Sequence, residues 1–318
     1  MSAASWRFAK VPERKIMTAR IGFAGLGLMG HGMASNLLEK GFPLTVLAHR
    51  KREAVDDLVG RGAREAASAR ALGEASDIVV LCVTGSTQVR ALVDGPDGLG
   101  ACGHALLVVD CSTSEPAVTQ ALAESLKPSG ITLIDAPLSR TPKEAWAGTL
   151  DVMVGGAPED VARARPVLEA FAGRIVETGP TGSGHMMKLL NNFVSLGYAA
   201  LYAEALTLGT KAGVSPRVFH DVIRGGRMDC PFFQTFFEYV VGGNPEAHKF
   251  TLSNALKDLT YLSGFANASA TANPVGASVR NSFALAVGQG HGAGYVPTLS
   301  DIIARANGVT LEGSPGSV

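Results

Sequence analysis

A chain of 318 residues is longer than one hydrophobic core usually organises, so two domains are expected. Its 46% hydrophobic content, 38 glycines and zero formal charge are ordinary for a globular enzyme and give no electrostatic reason to expect nucleic acid or an anionic membrane as partner. No apolar run reaches the ~18 residues that a membrane span needs. The four cysteines (Cys82, Cys102, Cys111, Cys230) show neither C-x-x-C nor metal-ligand spacing, so reduced buried thiols, no metal site and a cytoplasmic location are the expectation.

Residues 1–19 contain Trp6, Phe8 and several basic residues but no apolar stretch long enough for a signal peptide. They are expected to form a disordered leader, with Met17 just before the first strand. From Ile21 to Ala24 a short apolar run enters a turn carrying Gly25, Leu26, Gly27, Met29 and Gly30, and a helical pattern leaves it. This is G-x-G-x-x-G after a strand and opening a helix, the context in which it binds a dinucleotide. Gly25 permits the tight turn, Gly27 lets a pyrophosphate approach the backbone, and Gly30 lets helix and strand pack closely. The alternative is a glycine-rich turn that binds nothing, but a second strand follows in register.

Further strands are predicted at Leu44–Ala48, Asp77–Val83, Ala105–Asp110, Ile131–Asp135, Asp151–Val154 and Arg174–Glu177. Helical segments lie between them, at Arg52–Arg61, Thr87–Val93, Glu115–Lys127 and Pro158–Ala172. Near-continuous apolar strands alternating with helices indicate a doubly wound α/β domain with a parallel sheet, over residues 20–180. After Gly179 the strand signal stops. A long helix from about Gly184 towards Gly213 opens an all-helical domain over 181–318. Further helices are expected at Pro216–Arg224, Phe232–Val241, Leu252–Ala272, Pro274–Gln289 and Thr298–Ala306. Ligands of open α/β sheets bind beyond the carboxyl ends of the strands, so the active site is expected where that edge meets the helices.

At the end of the second strand, NAD-preferring sites usually place an acidic residue on the ribose. Here the chain reads His49-Arg50-Lys51-Arg52. A guanidinium binds a 2′-phosphate that a carboxylate would repel, so Arg50, then Lys51, favour NADP over NAD. A solvated basic turn is the alternative.

Lys188, Asn191, Asn192 and Ser195 fall on one face of the long helix, at i, i+3, i+4 and i+7. An ammonium, two amides and a hydroxyl suit a small, anionic, oxygenated ligand. A partly desolvated lysine can protonate a carbonyl that accepts hydride, or act as base in reverse. A surface lysine beside a capping Asn pair is the alternative.

With these motifs in order, the sequence resembles the β-hydroxyacid dehydrogenase family, which includes 3-hydroxyisobutyrate dehydrogenase and 2-hydroxy-3-oxopropionate reductase, with 6-phosphogluconate dehydrogenase a larger relative. The resemblance rests on Gly25 through Gly30 with Met33 and Asn36-Leu37, Asp110-Cys-Ser-Thr113, Asp135-Ala-Pro continuing to Ala147-Gly-Thr-Leu150, Gly184 through Lys188 with Asn191-Asn192, and Phe250 through Lys257-Asp258-Leu259. It implies an NAD(P)-dependent oxidoreductase interconverting a short aldehyde-acid and its hydroxy-acid. Lys188 becomes the general acid/base and Asn191 or Asn192 a substrate-orienting amide. Thr113 and Lys257 are implied as cofactor contacts, and a homodimer or homotetramer as the assembly.

One departure is informative. Where most of the family reads Ser-Gly-Gly, this chain has Ser139-Arg140-Thr141. Arg140 offers a charged fork for a carboxylate, sulfonate or phosphate, or pairs with a neighbouring carboxylate. A similar loop, with Lys-x-x-Asn-Asn-x-x-Ser on the helix, occurs in the sulfolactaldehyde reductase branch. That branch, imine reduction (which Lys188 argues against) and a non-catalytic dinucleotide sensor are the competing readings. His31 and His185 are read as packing and helix-start residues. His104, His220, His248 and His291 have no partner spacing.

Overall fold

β1 (Ile21–Ala24) is buried along its whole length and runs into the glycine turn from which α1 (Gly30–Glu39) emerges. The structure, a computed structural model, describes residues 19–317, so the expected leader lies outside the described residues except for Ala19. The alternation continues with β2 (Leu44–Leu47), α2 (Glu53–Gly60), β3 (Arg64–Ala66), α3 (Ala69–Glu74) and β4 (Ile78–Leu81). Next come α4 (Ser86–Asp94), β5 (Leu106–Asp110), α5 (Pro116–Leu126) and β6 (Ile131–Asp135). These strands run parallel in the order β3-β2-β1-β4-β5-β6, the doubly wound arrangement expected. Side chains alternate between two cores. Phe23, Val80 and Val109 face Met33 and Leu37 of α1, whereas Leu81, Val108 and Leu133 face Leu72 of α3 and Val89 of α4. Burial on both faces is why these strands read as apolar runs.

Beyond β6 the all-parallel expectation fails. β7 (Leu138–Ser139), α6 (Pro142–Ala147), β8 (Leu150–Gly155), α7 (Pro158–Leu168) and β9 (Ala172–Gly179) follow. β8 pairs antiparallel with β6 and β7 and parallel with β9, so β8 and β9 run against the first six strands and β7 runs with them. β3 and β7, of three and two residues, were not expected: too short to show an apolar period, they become strands by pairing with longer neighbours. α7 also stops at Leu168, because the chain enters β9 at Ala172.

The second half is helical among the described residues, apart from one bridge between Thr251 and Tyr295. Its helices are α8 (Ser183–Lys211), α9 (Pro216–Ile223), α10 (Pro231–Val240), α11 (Leu252–Ala268), α12 (Pro274–Gly288) and α13 (Leu299–Ala306). α11 ends four residues earlier than expected, at Ala268. A third core joins Leu196, Ala199 and Ala203 of α8 to Phe233 and Phe237 of α10, Leu259 of α11 and Phe283 of α12. Among the described residues no helix is long and apolar enough to cross a membrane, and all four cysteines are free.

α8 is fixed to the sheet by the buried carboxylate of Asp135, at the end of β6. Its Oδ1 accepts from the Gly182 N–H at 2.6 Å and its Oδ2 from the His185 N–H at 2.7 Å, so the carboxylate caps the helix from outside it. His185, fully buried, extends the tie. Its Nε2 lies 3.1 Å from the Ser112 carbonyl and its Nδ1 2.8 Å from the Thr119 hydroxyl of α5. Burial raises the Asp135 pKa above its ordinary value, although the His185 charge and the two N–H donors act the other way. Removing the carboxylate would strand two buried N–H groups. We expect Asp135→Ala to lower the unfolding free energy by about 2–4 kcal/mol in urea titration, since each lost charge-assisted bond is worth roughly 1–2. A midpoint equal to wild type would overturn this role.

Candidate active site

The glycine turn has the shape that a dinucleotide needs. Gly25 has φ +101°, and a Cβ there would collide with the carbonyl of Cys82. A Cβ on Gly30 would strike the carbonyl of Gly25, whereas one on Gly27 meets nothing within 4 Å. Open space thus faces the turn at the middle glycine alone, where a pyrophosphate approaches. No side chain caps α1, so apart from the His31 N–H, which donates to the Gly27 carbonyl at 3.1 Å, its first N–H groups are left for an anion. Leu26 and Met29, half-buried, pack against the core beside the turn. His31 is held by Asp57, 2.8 Å away, and by the edge of Trp146.

At the end of β2 the four basic residues divide. Arg52 is taken up by Asp56 at 3.0 Å and Glu65 at 2.9 Å. Arg50 and Lys51 are exposed and have no hydrogen-bond or ion-pair partner among the described residues.

Lys257 of α11 closes the two halves over the carboxyl ends of β4 and β5. Its Nζ donates to the Thr84 carbonyl at 2.6 Å and the Thr113 carbonyl at 3.1 Å, and lies 5.0 Å above the Tyr261 ring. Asp258 Oδ1 is 2.9 Å from the same Nζ without hydrogen-bond alignment, while its Oδ2 accepts from Asn192 Nδ2 at 2.7 Å. α8 and α11 are thereby joined through a buried amide–carboxylate pair. Asn191 is exposed and its amide reaches Asn192 Oδ1 at 3.4 Å; the Ser195 hydroxyl donates back to the Asn192 carbonyl at 3.1 Å.

Lys188 lies one turn before Asn192. The residue is half-buried, and its ammonium has no hydrogen-bond or ion-pair partner among the described residues. Burial lowers its pKa; the Asp258 charge opposes this and Lys257 adds to it. An unpaired cation held this way is poised to exchange a proton.

The loop at residues 139–141 is more engaged than its sequence suggested. Arg140 has φ +86°, the left-handed region that suits the glycine usual in the resembling family, and a non-glycine residue there costs roughly 1–2 kcal/mol. Its Nε pairs with Asp151 Oδ2 at 2.9 Å, which is the alternative weighed for it; the side chain is 48% exposed and its terminal nitrogens have no partner among the described residues. The Thr141 N–H and hydroxyl both donate to Glu144, capping α6. Ser139 sits half-buried in β7. α6 is held against α1 by Asn36, whose Nδ2 donates to the carbonyls of Ala145 at 3.0 Å and Trp146 at 3.1 Å.

Two residues near Lys188 were not singled out from the sequence. Asp258 was legible only as part of a motif. His248 carried no spacing signal, because a loop between two helices has no period; its ring is in the Lys188 field, and burial with that charge holds its pKa near 4. A groove of about 540 Å³ lined by Tyr239, His291, Tyr295 and Arg305 contains none of the expected site residues.

A doubly wound sheet with a dinucleotide turn, joined at its carboxyl edge to helices bearing a desolvated lysine, defines a nicotinamide-dependent oxidoreductase. Residues 20–179 match the NAD-binding domain of 6-phosphogluconate dehydrogenase, and residues 182–296 the NAD-binding domain of NADP-dependent 3-hydroxyisobutyrate dehydrogenase. The chain is 37% identical to 3-hydroxyisobutyrate dehydrogenase of Pseudomonas aeruginosa over 83% of its own length and 91% of that protein's. It is 33% identical to 3-sulfolactaldehyde reductase of Escherichia coli over 86% of its length and 92% of that protein's. The crystal structure of 3-hydroxyisobutyrate dehydrogenase from Salmonella typhimurium superposes with a TM-score of 0.79 at 28% identity, covering 89% of this chain and 99% of that one. The chain belongs to the β-hydroxyacid dehydrogenase family, whose NAD(P)-dependent members act on CH–OH donors.

Proposed function

We propose that the enzyme interconverts a short aldehyde-acid, of the 2-hydroxy-3-oxopropionate or 3-hydroxyisobutyrate semialdehyde type, and its hydroxy-acid, with NADP(H) preferred. The observation that carries this reading is the desolvated, unpaired ammonium of Lys188 beside the point where Lys257 clasps the loops after β4 and β5. The working halves are residues 20–180 for the cofactor and 181–318 for substrate and assembly.

The turn of Gly25, Leu26, Gly27, Met29 and Gly30 receives the pyrophosphate, with Thr113 and Lys257 lining the crevice. When bound, the nicotinamide supplies or accepts hydride at the substrate carbonyl carbon. Lys188 gives a proton to the carbonyl oxygen in reduction and takes it from the hydroxyl in oxidation. Asn191 and Asn192 orient that oxygen, Asn192 itself held by Asp258. Ser139 and the free terminal nitrogens of Arg140 hold the anionic group, Thr141, whose donors are taken by Glu144, shapes the loop beside them, and Ser195 lines the far side. A sulfonated aldehyde is the second reading, favoured by the guanidinium of Arg140, and relative initial rates on carboxylate and sulfonate aldehydes decide between them. A non-catalytic sensor is disfavoured because it has no use for a desolvated lysine.

Met187, Leu190, Val194, Leu201 and Leu208 form an exposed apolar stripe at heptad spacing along α8, with Leu201 63% and Leu208 69% exposed. This supports a homodimer or homotetramer, which a single-chain mass in sedimentation would overturn. Free cysteines agree with a cytoplasmic location.

The Lys188 pKa is lowered from an ordinary 10.5 by burial, and reduction needs the ammonium whereas oxidation needs the free amine. Reductive kcat/KM is therefore expected to fall as pH rises through a pKa below 10.5, and oxidative kcat/KM to fall as pH drops through the same one. Lys188→Ala is expected to remove both limbs and about 10²–10⁴-fold of the rate. Full turnover in this variant would overturn the mechanism. For the cofactor, Arg50→Ala is expected to raise KM for NADPH about tenfold, the loss of one phosphate contact, and to leave KM for NADH nearly unchanged. Equal effects on both cofactors would remove Arg50 from the 2′-phosphate.

A further inference from the structure

The loops after β4 and β5 meet α11 at one crowded point. A Cβ placed on Gly85 would come within 2.8 Å of the Tyr261 hydroxyl, 3.3 Å of Lys257 Nζ and 3.3 Å of the Thr113 carbonyl oxygen. Gly85 is extended, with φ 174°, so space rather than backbone conformation calls for glycine there. Tyr261 follows Lys257 by one turn of α11, and its ring centroid lies 5.0 Å from that ammonium. The lysine thus holds the ring while the hydroxyl reaches the glycine loop.

Lys257 spends donors at this point on the carbonyls of Thr84 and Thr113. The Tyr261 hydroxyl has no hydrogen-bond partner among the described residues and is not enclosed, so a ligand can reach it. The residue as a whole is half-buried and packs against the helical core. A packed ring fixes where its hydroxyl stands, so a bond made by it is gained without ordering a mobile side chain.

Strand order says which part of a dinucleotide comes here. In the order β3-β2-β1-β4-β5-β6 the winding reverses between β1 and β4, and a dinucleotide lies across that point with one nucleotide on each side. On the reading above, the glycine turn after β1 takes the pyrophosphate and the adenosine half lies over β2, towards Arg50. The nicotinamide half then lies over β4 and β5, at the loops of Thr84, Gly85 and Thr113. We propose that Tyr261 is a cofactor-binding residue, its hydroxyl hydrogen-bonding the ribose of the nicotinamide half. That sugar offers uncharged hydroxyls that donate and accept, as a phenol does. The inference rests on the cofactor reading above and on neither Lys188 nor the substrate.

The test measures equilibrium binding to the full-length enzyme, by fluorescence for NADPH and NADH and by calorimetry for 2′,5′-ADP. The last ligand has the adenosine half and its 2′-phosphate but no nicotinamide ribose. Tyr261→Phe keeps a ring beside Lys257 and removes only the hydroxyl. It is expected to raise Kd for NADPH and NADH by the same factor, about three- to tenfold, the effect of one uncharged hydrogen bond. Kd for 2′,5′-ADP is expected to stay at the wild-type value. A thermal melt accompanies the variant, and should it not melt cooperatively, Tyr261→Leu gives the same readout. Unchanged Kd for both dinucleotides, a loss confined to NADPH, or a loss extending equally to 2′,5′-ADP would refute the proposal. Failure of wild type to bind either dinucleotide would overturn the cofactor reading together with it.

Discussion

A single buried carboxylate fixes the relation between sheet and helices. Asp135 ends β6 with no exposed atom to speak of and accepts from two N–H groups at the start of α8. A carboxylate taken out of water is costly unless it is paired, and the helix N-terminus supplies donors and a positive dipole end together. That coupling sets where α8 begins, and its regular rise then sets where Lys188 stands, between one and two turns further on. His185 strengthens the joint by linking the same turn to the loop after β5 and to α5. A displacement of this joint would carry the lysine away from the carboxyl edge of the sheet.

From the opposite side the site is closed by α11. Lys257 bonds backbone carbonyls after β4 and β5, and Asp258 holds Asn192. Two cations, Lys188 and Lys257, thus share the neighbourhood of one buried carboxylate. Lys257 has oxygen partners; Lys188 has none, and burial disfavours its charge. The division of labour between two chemically identical side chains comes from their partners.

In the loop at residues 139–141, Arg140 adopts the left-handed conformation that a glycine would take without strain. Its Nε is spent on Asp151, while the outer nitrogens stay available. The loop therefore presents a positive charge where a glycine would present backbone alone.

Most of the architecture was legible because its signals are local. Apolar runs of period-free strands, the Gly25-x-Gly27-x-x-Gly30 turn and the helical spacing of Lys188, Asn192 and Ser195 are all patterns within a few residues. β3, β7 and the reversed edge of the sheet were not, because a two- or three-residue strand is defined by its neighbour and strand direction leaves no trace in composition. Nor could spacing show that Asp135 caps a helix 47 positions away, that Arg52 but not Arg50 is spent on Glu65, or that His248 lies in the field of Lys188. The sequence by itself determined the alternating and helical halves, the glycine turn and the lysine-bearing helix face, since each depends on the chemistry of consecutive residues. Which charges are paired and which are desolvated was decided by the tertiary structure alone, since burial and pairing arise only when segments distant in the chain meet.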